Sequence, residues 1–331
     1  MFKNKTMISF EKEINIKDEM IDVSIVIVCM NNLINLYPCL ESIRKYTKEV
    51  EYETLVVAYL FTKDNLEKVK ADFPWVTFIE SNEIRGFSEN NNLALKQAKG
   101  KYCFVLNDDT YIADNAIGKL VETHNGLSED IAVLCPTTKR PDGSVQHCGV
   151  AKFNMFTYIL WCMGLLNYYV NHSRYVNKKG LFQTYNVHGA CFLIRKSIFE
   201  DVNWFDERFF FCPEDIALST KINNEGYKCF VDSNINIYHT GGGTWSNTII
   251  ATKPATAKGE YIFYGTNIIN KILFLIISTL RYGGCMLYWL IKMGVSFDEH
   301  KRVMFTANKN AIFALYSHLS PKELFVKFYK K

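Results

Sequence analysis

Apolar and polar positions along this chain follow two rhythms in turn. Residues 23–28 are Val and Ile broken only by Ser24, the pattern of a strand buried on both faces of a parallel sheet. Leu36, Leu40 and Ile43 then recur at helical spacing, with Asn35 as the N-cap and Pro38 tolerable in the first turn. Residues 54–57 and 76–79 repeat the strand pattern on either side of a polar helix over 64–72. Such alternation predicts a parallel sheet with right-handed crossovers. From Arg85 the pattern predicts a helix capped by Ser88 and closed at Gly100, and 102–106 reads as another buried strand.

Farther along the pattern loosens. A short strand is expected at 131–134, a turn over 141–144 leads to Val145 and Gln146, and 152–185 is rich in aromatic residues and Met without a period that assigns an element. Strands return at 190–194, 228–231 and 235–238, with a helix over 215–226. Two apolar stretches, 268–280 and 282–295, are interrupted by Lys271, Arg281 and Lys292. Each is shorter than the ~20 residues that span a bilayer, which predicts two helices lying in a membrane interface.

Composition changes this picture in three ways. With 331 residues, 48% apolar and 22% charged, the chain can bury a large core and form two halves plus an appendage. Aromatic residues at 15% are abundant enough to suggest binding surfaces or contact with a membrane. Ten cysteines without a CxxC pair exclude a zinc ribbon and a thioredoxin-like site, and fit a reduced, cytosolic setting.

The net charge of +4 hides an asymmetry: residues 251–331 hold 12 Lys/Arg against 4 Asp/Glu, a balance of +8 that leaves −4 on residues 1–250. No nucleic-acid motif accompanies the basic part and its neighbours are apolar, so an anionic membrane surface is the expected partner and nucleic acid is not. Residues 1–22 read as a polar leader without the apolar core of a signal peptide, which argues against secretion.

The candidate chemistry lies in two acidic clusters. Asn107, Asp108, Asp109 and Thr110 follow the strand at 102–106, and carboxylates at the carboxyl end of a buried strand sit where α/β proteins bind ligands. Glu214 and Asp215 end the aromatic run that begins at Phe209. One cluster could hold a divalent cation while the other takes a proton from an attacking hydroxyl, the division of labour for sugar transfer from a nucleotide diphosphate.

Plainer readings stand beside these. Asp108 and Asp109 suit a strand-ending turn, and Glu214 and Asp215 suit the positive end of a helix dipole. The Gly86 to Asn92 segment suits an ordinary cap as well as a helix start that receives a diphosphate. Arg85 suits either a diphosphate partner or a solvated charge. His147 and His188 read as ordinary surface or core histidines.

The motifs in order are the strand at 24–28, the loop from Gly86 to Asn92, Leu106-Asn107-Asp108-Asp109-Thr110, Pro141-Asp142-Gly143-Ser144, the segment from Gly189 to Arg195, that from Phe205 to Phe210, Glu214-Asp215, and His239 through Gly243. Over about residues 23–245 the chain resembles family-2 glycosyltransferases, in particular the bacterial rhamnosyltransferase-like branch that builds cell-surface polysaccharides. The resemblance implies a GT-A fold of the α/β class, a Rossmann-like, mixed and mainly parallel sheet flanked by helices. Residues 23–115 would bind the nucleotide sugar, 116–250 the acceptor, and 251–331 would form a basic, amphipathic helical extension.

The resemblance also implies roles. Asp109 and His239 would ligate Mg²⁺ or Mn²⁺, and Arg85, Gly86, Asn91, Asn107 and Asp108 would meet the donor, with Asn107 lowering the charge of the acidic motif. Asp215 would be the base of an inverting transfer, with Glu214 beside it. One departure is Val56-Val57-Ala58-Tyr59, where many relatives carry an Asp that contacts the nucleoside. The implied partners are a nucleotide-diphosphate sugar such as dTDP-rhamnose, a lipid-linked saccharide acceptor and the inner face of the cytoplasmic membrane, with a second copy of the chain as the alternative cover for the apolar stretches. Two other functions compete: a catalytically silent nucleotide- or glycan-binding assembly partner, and a sugar-1-phosphate nucleotidyltransferase. The latter is disfavoured because no Gly-rich, basic loop follows Val28.

Overall fold

The computed structural model describes residues 21–241 and 248–329. Alternating units come first: β1 (Val23–Cys29), α1 (Leu33–Tyr46), β2 (Tyr52–Tyr59), α2 (Lys63–Asp72), β3 (Thr77–Ser81), α3 (Phe87–Leu95) and β4 (Tyr102–Asn107). β1 pairs in parallel with both β2 and β4, and its residues 25–27 are wholly buried, as a strand covered on both faces requires.

The chain continues through β5 (Thr110–Tyr111), α4 (Ala116–Asn125), β6 (Ile131–Lys139), β7 (Val145–His147), α5 (Met155–Cys162), α6 (Leu166–Asn171), β8 (Leu181–Thr184), β9 (Cys191–Arg195), α7 (Lys196–Asp201), α8 (Glu214–Asn224) and β10 (Lys228–His239). Four helices follow, α9 (Ile249–Tyr264), α10 (Ile268–Val295), α11 (Glu299–Tyr316) and α12 (Pro321–Tyr329). The sheet runs β3-β2-β1-β4-β9-β6-β10-β5, with β7 on β6 and β8 on β10. β9 enters antiparallel between β4 and β6, which makes the sheet mixed as expected.

Several local expectations are corrected. The cap of α1 is Asn32, whose side chain accepts the Asn35 N–H, and Asn35 lies inside the helix. Helix α3 is capped two residues before the expected cap, at Gly86, whose N–H the Glu89 carboxylate takes at 3.0 Å; Ser88 is therefore inside the helix and buried, and the helix stops at Leu95. The two strands expected at 228–231 and 235–238 are one, β10, with a register shift between Asp232 and Asn236. The unassigned 152–185 stretch holds α5, α6 and β8. Its Phe156, Trp161, Met163 and Tyr168 are exposed, so no core-facing period could appear there.

The largest correction concerns the apolar stretches 268–280 and 282–295, which form one unbroken helix of 28 residues, about 42 Å long at 1.5 Å per residue. Arg281 does not end it, because its guanidinium lies 3.7 Å from the ring centre of Trp161 and 3.8 Å from the Glu260 carboxylate. Among the described residues α10 is the one helix long and apolar enough to cross a membrane. Phe274, Ser278 and Tyr282, four residues apart, make its buried seam, and the Tyr158 hydroxyl meets Ser278 Oγ at 2.6 Å to fasten α5 alongside.

The helices around α10 are not a detached tail. Phe325 of α12 is buried against Phe210 with ring centres 4.6 Å apart, and Lys322 pairs with Glu89 at 2.7 Å.

Candidate functional site

Parallel strands leave their carboxyl ends on one edge of the sheet, and there a cavity of about 300 Å³ opens. Val28 and Met30 come from the end of β1, Tyr59 from the end of β2, and Asn107, Asp108 and Asp109 from the end of β4. Arg85, Gly86 and Asn90 add the start of α3, while Thr252 and Phe325 close it from α9 and α12. A larger concavity of about 580 Å³ lies between α9, α11 and α12, but its charged lining residues, Glu299 and Arg302, pair with each other. The strand-end cavity gathers the reactive groups instead.

Strand register brings His239 to the acidic cluster. β10 runs antiparallel to β5 with His239 opposite Thr110, so His239 Nε2 lies 3.1 Å from Asp109 Oδ1. The Thr240 N–H and hydroxyl both donate to the Asp109 carbonyl at 3.0 Å. On its other side His239 Nδ1 meets Gln146 Oε1 at 2.9 Å. With the Nδ1 proton given to the amide oxygen, Nε2 turns a lone pair toward a carboxylate, a contact that a proton or a shared cation makes favourable.

The donor set fits a hard divalent cation that prefers oxygen with one imidazole. Among the described residues no three His, Cys, Asp or Glu side chains form a metal cluster, so a cation at Asp109 and His239 would complete its shell with ligand phosphate and water. Asp108 stands beside the pair, its carboxyl pushed up to about 7 by burial and by the Asp109 charge.

The second acidic cluster is tied to this edge through glycines. The Phe87 N–H donates to the Phe210 carbonyl at 2.8 Å, and a Cβ on Gly86 would come within 2.3 Å of that oxygen, so only glycine lets α3 meet the 209–215 segment. Asp215, on the first turn of α8, accepts the Gly189 N–H at 3.1 Å through Oδ2 and the Ile216 N–H at 2.7 Å through Oδ1.

These two donors favour the ionised Asp215, although burial raises its pKa. Glu214 is buried, its Oε2 has no hydrogen-bond partner, and burial together with the Asp215 charge raises its pKa. Of the pair, Asp215 has the hydrogen bonds that stabilise a carboxylate, and Glu214 Oε2 has none.

Not every expected residue faces the cavity. Asn91 is buried, donates to the Phe87 carbonyl at 2.9 Å and does not line it; Asn90 does, held by the Ser81 hydroxyl at 2.7 Å. Arg85 lines it but also donates to Ser81 Oγ at 3.1 Å and pairs with Glu83 at 3.0 Å. Tyr59, the last residue of the segment that departs from the Asp of many relatives, lines the cavity with its hydroxyl accepting the Arg85 N–H. Gly242 and Gly243 of the His239 motif lie outside the described residues.

Sequence reasoning missed His147 and His188. Their rings stack at 3.8 Å, His188 reaches within 5.8 Å of His239, and its Nδ1 is buried without a partner. Burial lowers the pKa of both, that of His147 to about 4, so the stack beside His239 consists of neutral imidazoles. The place of His188 directly before Gly189 was the available signal.

Comparison with known proteins agrees with this architecture. The description "Glycosyl transferase family 2" belongs to the family whose sequence model matches residues 24–202. The O-antigen biosynthesis protein RfbC of Myxococcus xanthus is 25% identical over 207 residues, covering 61% of this chain and 15% of that protein. The uncharacterized protein y4gI of Sinorhizobium fredii (strain NBRC 101917 / NGR234) is 30% identical over 238 residues, covering 66% of this chain and 24% of its own length. The match thus spans a quarter or less of either curated relative.

Among solved structures, GalNAc-T7 with UDP, GalNAc and Mn²⁺ superposes with a TM-score of 0.53 at 16% identity, over 77% of this chain and 54% of that one. The mannosyltransferase PcManGT of Pyrobaculum calidifontis, in complex with GDP-Man and Mn²⁺, gives 0.51 at 13% identity over 90% and 88%. At such identities the likeness is one of fold, and the fold is GT-A.

Proposed function

Because the chain belongs to glycosyl transferase family 2, we propose that it moves a sugar from a nucleotide-diphosphate donor to a hydroxyl of a lipid-linked or polysaccharide acceptor, with inversion, during synthesis of a cell-envelope glycan. The observation that carries this reading is the Asp109–His239 pair at the strand-end cavity, with His188 beside His239 and the next residue, Gly189, donating its N–H to the Asp215 carboxylate. A rhamnose-like deoxyhexose donor follows from the sequence resemblance alone.

In this reading the diphosphate lies in the strand-end cavity, with the Arg85 guanidinium on the cavity wall as its cationic partner. Asp109 and His239 would hold Mg²⁺ or Mn²⁺, which when bound compensates the charge that grows on the departing diphosphate. The acceptor oxygen forms the new bond to the anomeric carbon as the bond to the diphosphate breaks, and its proton passes to Asp215. Two backbone N–H bonds hold that carboxylate in place and favour its ionised form.

The same reading gives the outer face of α10 a role. Ile272, Ile276, Leu280 and Ile291 are each more than half exposed on it, and the adjoining α5 and α6 add Phe156, Trp161 and Tyr168. With the +8 balance of residues 251–331, this surface suits an anionic bilayer in which the helix lies flat, held along its buried seam, at the inner face of the cytoplasmic membrane.

The test of the chemistry is Asp215→Asn, which keeps the shape and removes the basicity. Turnover is expected to fall ~10²- to 10⁴-fold with donor binding within a few-fold of wild type. Wild-type turnover in that variant would remove Asp215 from the role of base, whereas a wild-type chain that binds a donor without turning it over would leave the silent binding partner as the better reading.

A further inference from the structure

A second concavity, about 440 Å³, lies away from the strand-end cavity, between α8 and the turn that joins α9 to α10. Ala217, Thr220, Lys221 and Asn224 recur along α8 at three- and four-residue spacing and form one wall. At 100° per residue this row lies opposite Asp215 around the helix. One helix thus offers its first-turn carboxylate to Gly189 on one side and a separate binding wall on the other. From Asp215 to Lys221 is about 9 Å along the axis, at 1.5 Å per residue.

The chemistry of this cleft is cationic over an aromatic floor. Arg208 and Asp206 line it but satisfy each other in a forked pair at 2.6–3.0 Å. Lys152 and Lys221 remain. None of the described carboxylates lies within ion-pair distance of either; Lys152 lies 4.9 Å from the Tyr185 ring centre, and Lys221 Nζ meets the Trp204 carbonyl at 3.5 Å with the Asp206 charge acting on it from farther off. Lys221 is half-buried, so its charge is partly stripped of water. Half-buried Lys221 and exposed Lys152, in a cleft also lined by Phe209 and Tyr264, form a site for an oxyanion whose attached groups are apolar or sugar-like.

The surroundings select the oxyanion. Met155 opens α5 and Asn270 lies in the first turn of α10, so the cleft is at the root of the exposed apolar surface those helices share. An anion bound here can lay a hydrocarbon tail on that surface, while its glycan passes around α8 toward Asp215, which lies about 9 Å away along the axis and on the opposite side of the helix. We infer that this cleft holds the phosphate or diphosphate of a lipid-linked acceptor, with Lys152 and Lys221 as its ligands. The inference rests on the glycosyltransferase reading and adds to it the part of the acceptor that the protein grips.

The experiment is titration calorimetry on the full chain in EDTA, in an Asp109→Ala background so that the strand-end cavity does not compete for diphosphate. The probes are geranyl diphosphate, geraniol and inorganic pyrophosphate. Geranyl diphosphate is expected to bind best, and Lys152→Gln with Lys221→Gln to weaken it by at least roughly tenfold, as loss of charge-assisted contacts does. Lys152→Arg with Lys221→Arg should retain binding, which guards against misfolding of the Gln variant.

Unchanged binding in the Gln variant, or equal binding of geraniol, overturns the assignment. Pyrophosphate binding as tightly as geranyl diphosphate overturns its lipid part. Failure of the glycosyltransferase reading is a separate result, the absence of nucleotide-sugar binding to the wild-type chain with Mn²⁺, whatever the lysines do.

Discussion

Along β1 and β4 the apolar residues are covered on both faces and only the strand ends present polar atoms, whereas along α10 most apolar residues remain outside. Ile25, Val26 and Ile27 are inaccessible, yet of the 28 residues of α10 only Phe274, Ser278 and Tyr282 are buried. Both regions look alike as apolar runs in the sequence. They differ in their neighbours: the strands lie between layers of helices, while α10 has one seam on the body and a face that no described residue covers. Apolar content marks a surface that needs cover, and topology decides whether the cover is protein.

The comparison breaks most readily at Phe325, which belongs to the C-terminal helices yet lines the strand-end cavity and stacks on Phe210. Phe325→Ala should cost about 3–5 kcal/mol of stability, the usual penalty for emptying a buried aromatic position, and should weaken nucleotide-sugar binding as well. Denaturant unfolding and calorimetry on the full chain check both. Wild-type stability and binding would return α12 to the status of an appendage.

A smaller effect sharpens the contrast from the other side. Ile276→Glu with Leu280→Glu places charges on the exposed face of α10 and should abolish pelleting with anionic vesicles while nucleotide-sugar binding stays unchanged. Wild-type pelleting should weaken as salt rises, since each Lys or Arg near the surface contributes ~1 kcal/mol. Salt-insensitive behaviour, equal on neutral and anionic vesicles, would make this face a contact between copies of the chain.

What was legible in the sequence follows the same division. The parallel units and the placing of Asp109 after a buried strand could be read because two-sided burial leaves an unbroken Val/Ile run ending in polar residues. Asn32 was missed as the cap of α1 because Asn35 is as good a cap by type, and only the hydrogen bond from the Asn35 N–H decides between them. The unity of α10 was hidden because Arg281 reads as an interruption until Trp161, 120 residues away, supplies a face for its guanidinium.

The strand-end cavity was half legible. Asp108, Asp109 and Gly86 lie in contiguous motifs, but Tyr59, Phe325 and the neutral histidines beside His239 depend on contacts between distant segments. Asn91 shows the reverse error, since its motif pointed to the donor and its side chain turns inward to the Phe87 carbonyl.

The central claim is that Asp109 and His239 bind a nucleotide-diphosphate sugar through a shared divalent cation, and titration calorimetry of the full chain against a panel of nucleotide sugars tests it most directly. With Mn²⁺ one donor should bind, EDTA should remove that binding, and Asp109→Ala should weaken it by at least roughly tenfold, the scale of one lost charge-assisted contact. Equal binding of that donor in excess EDTA and in the Asp109→Ala variant would contradict the account.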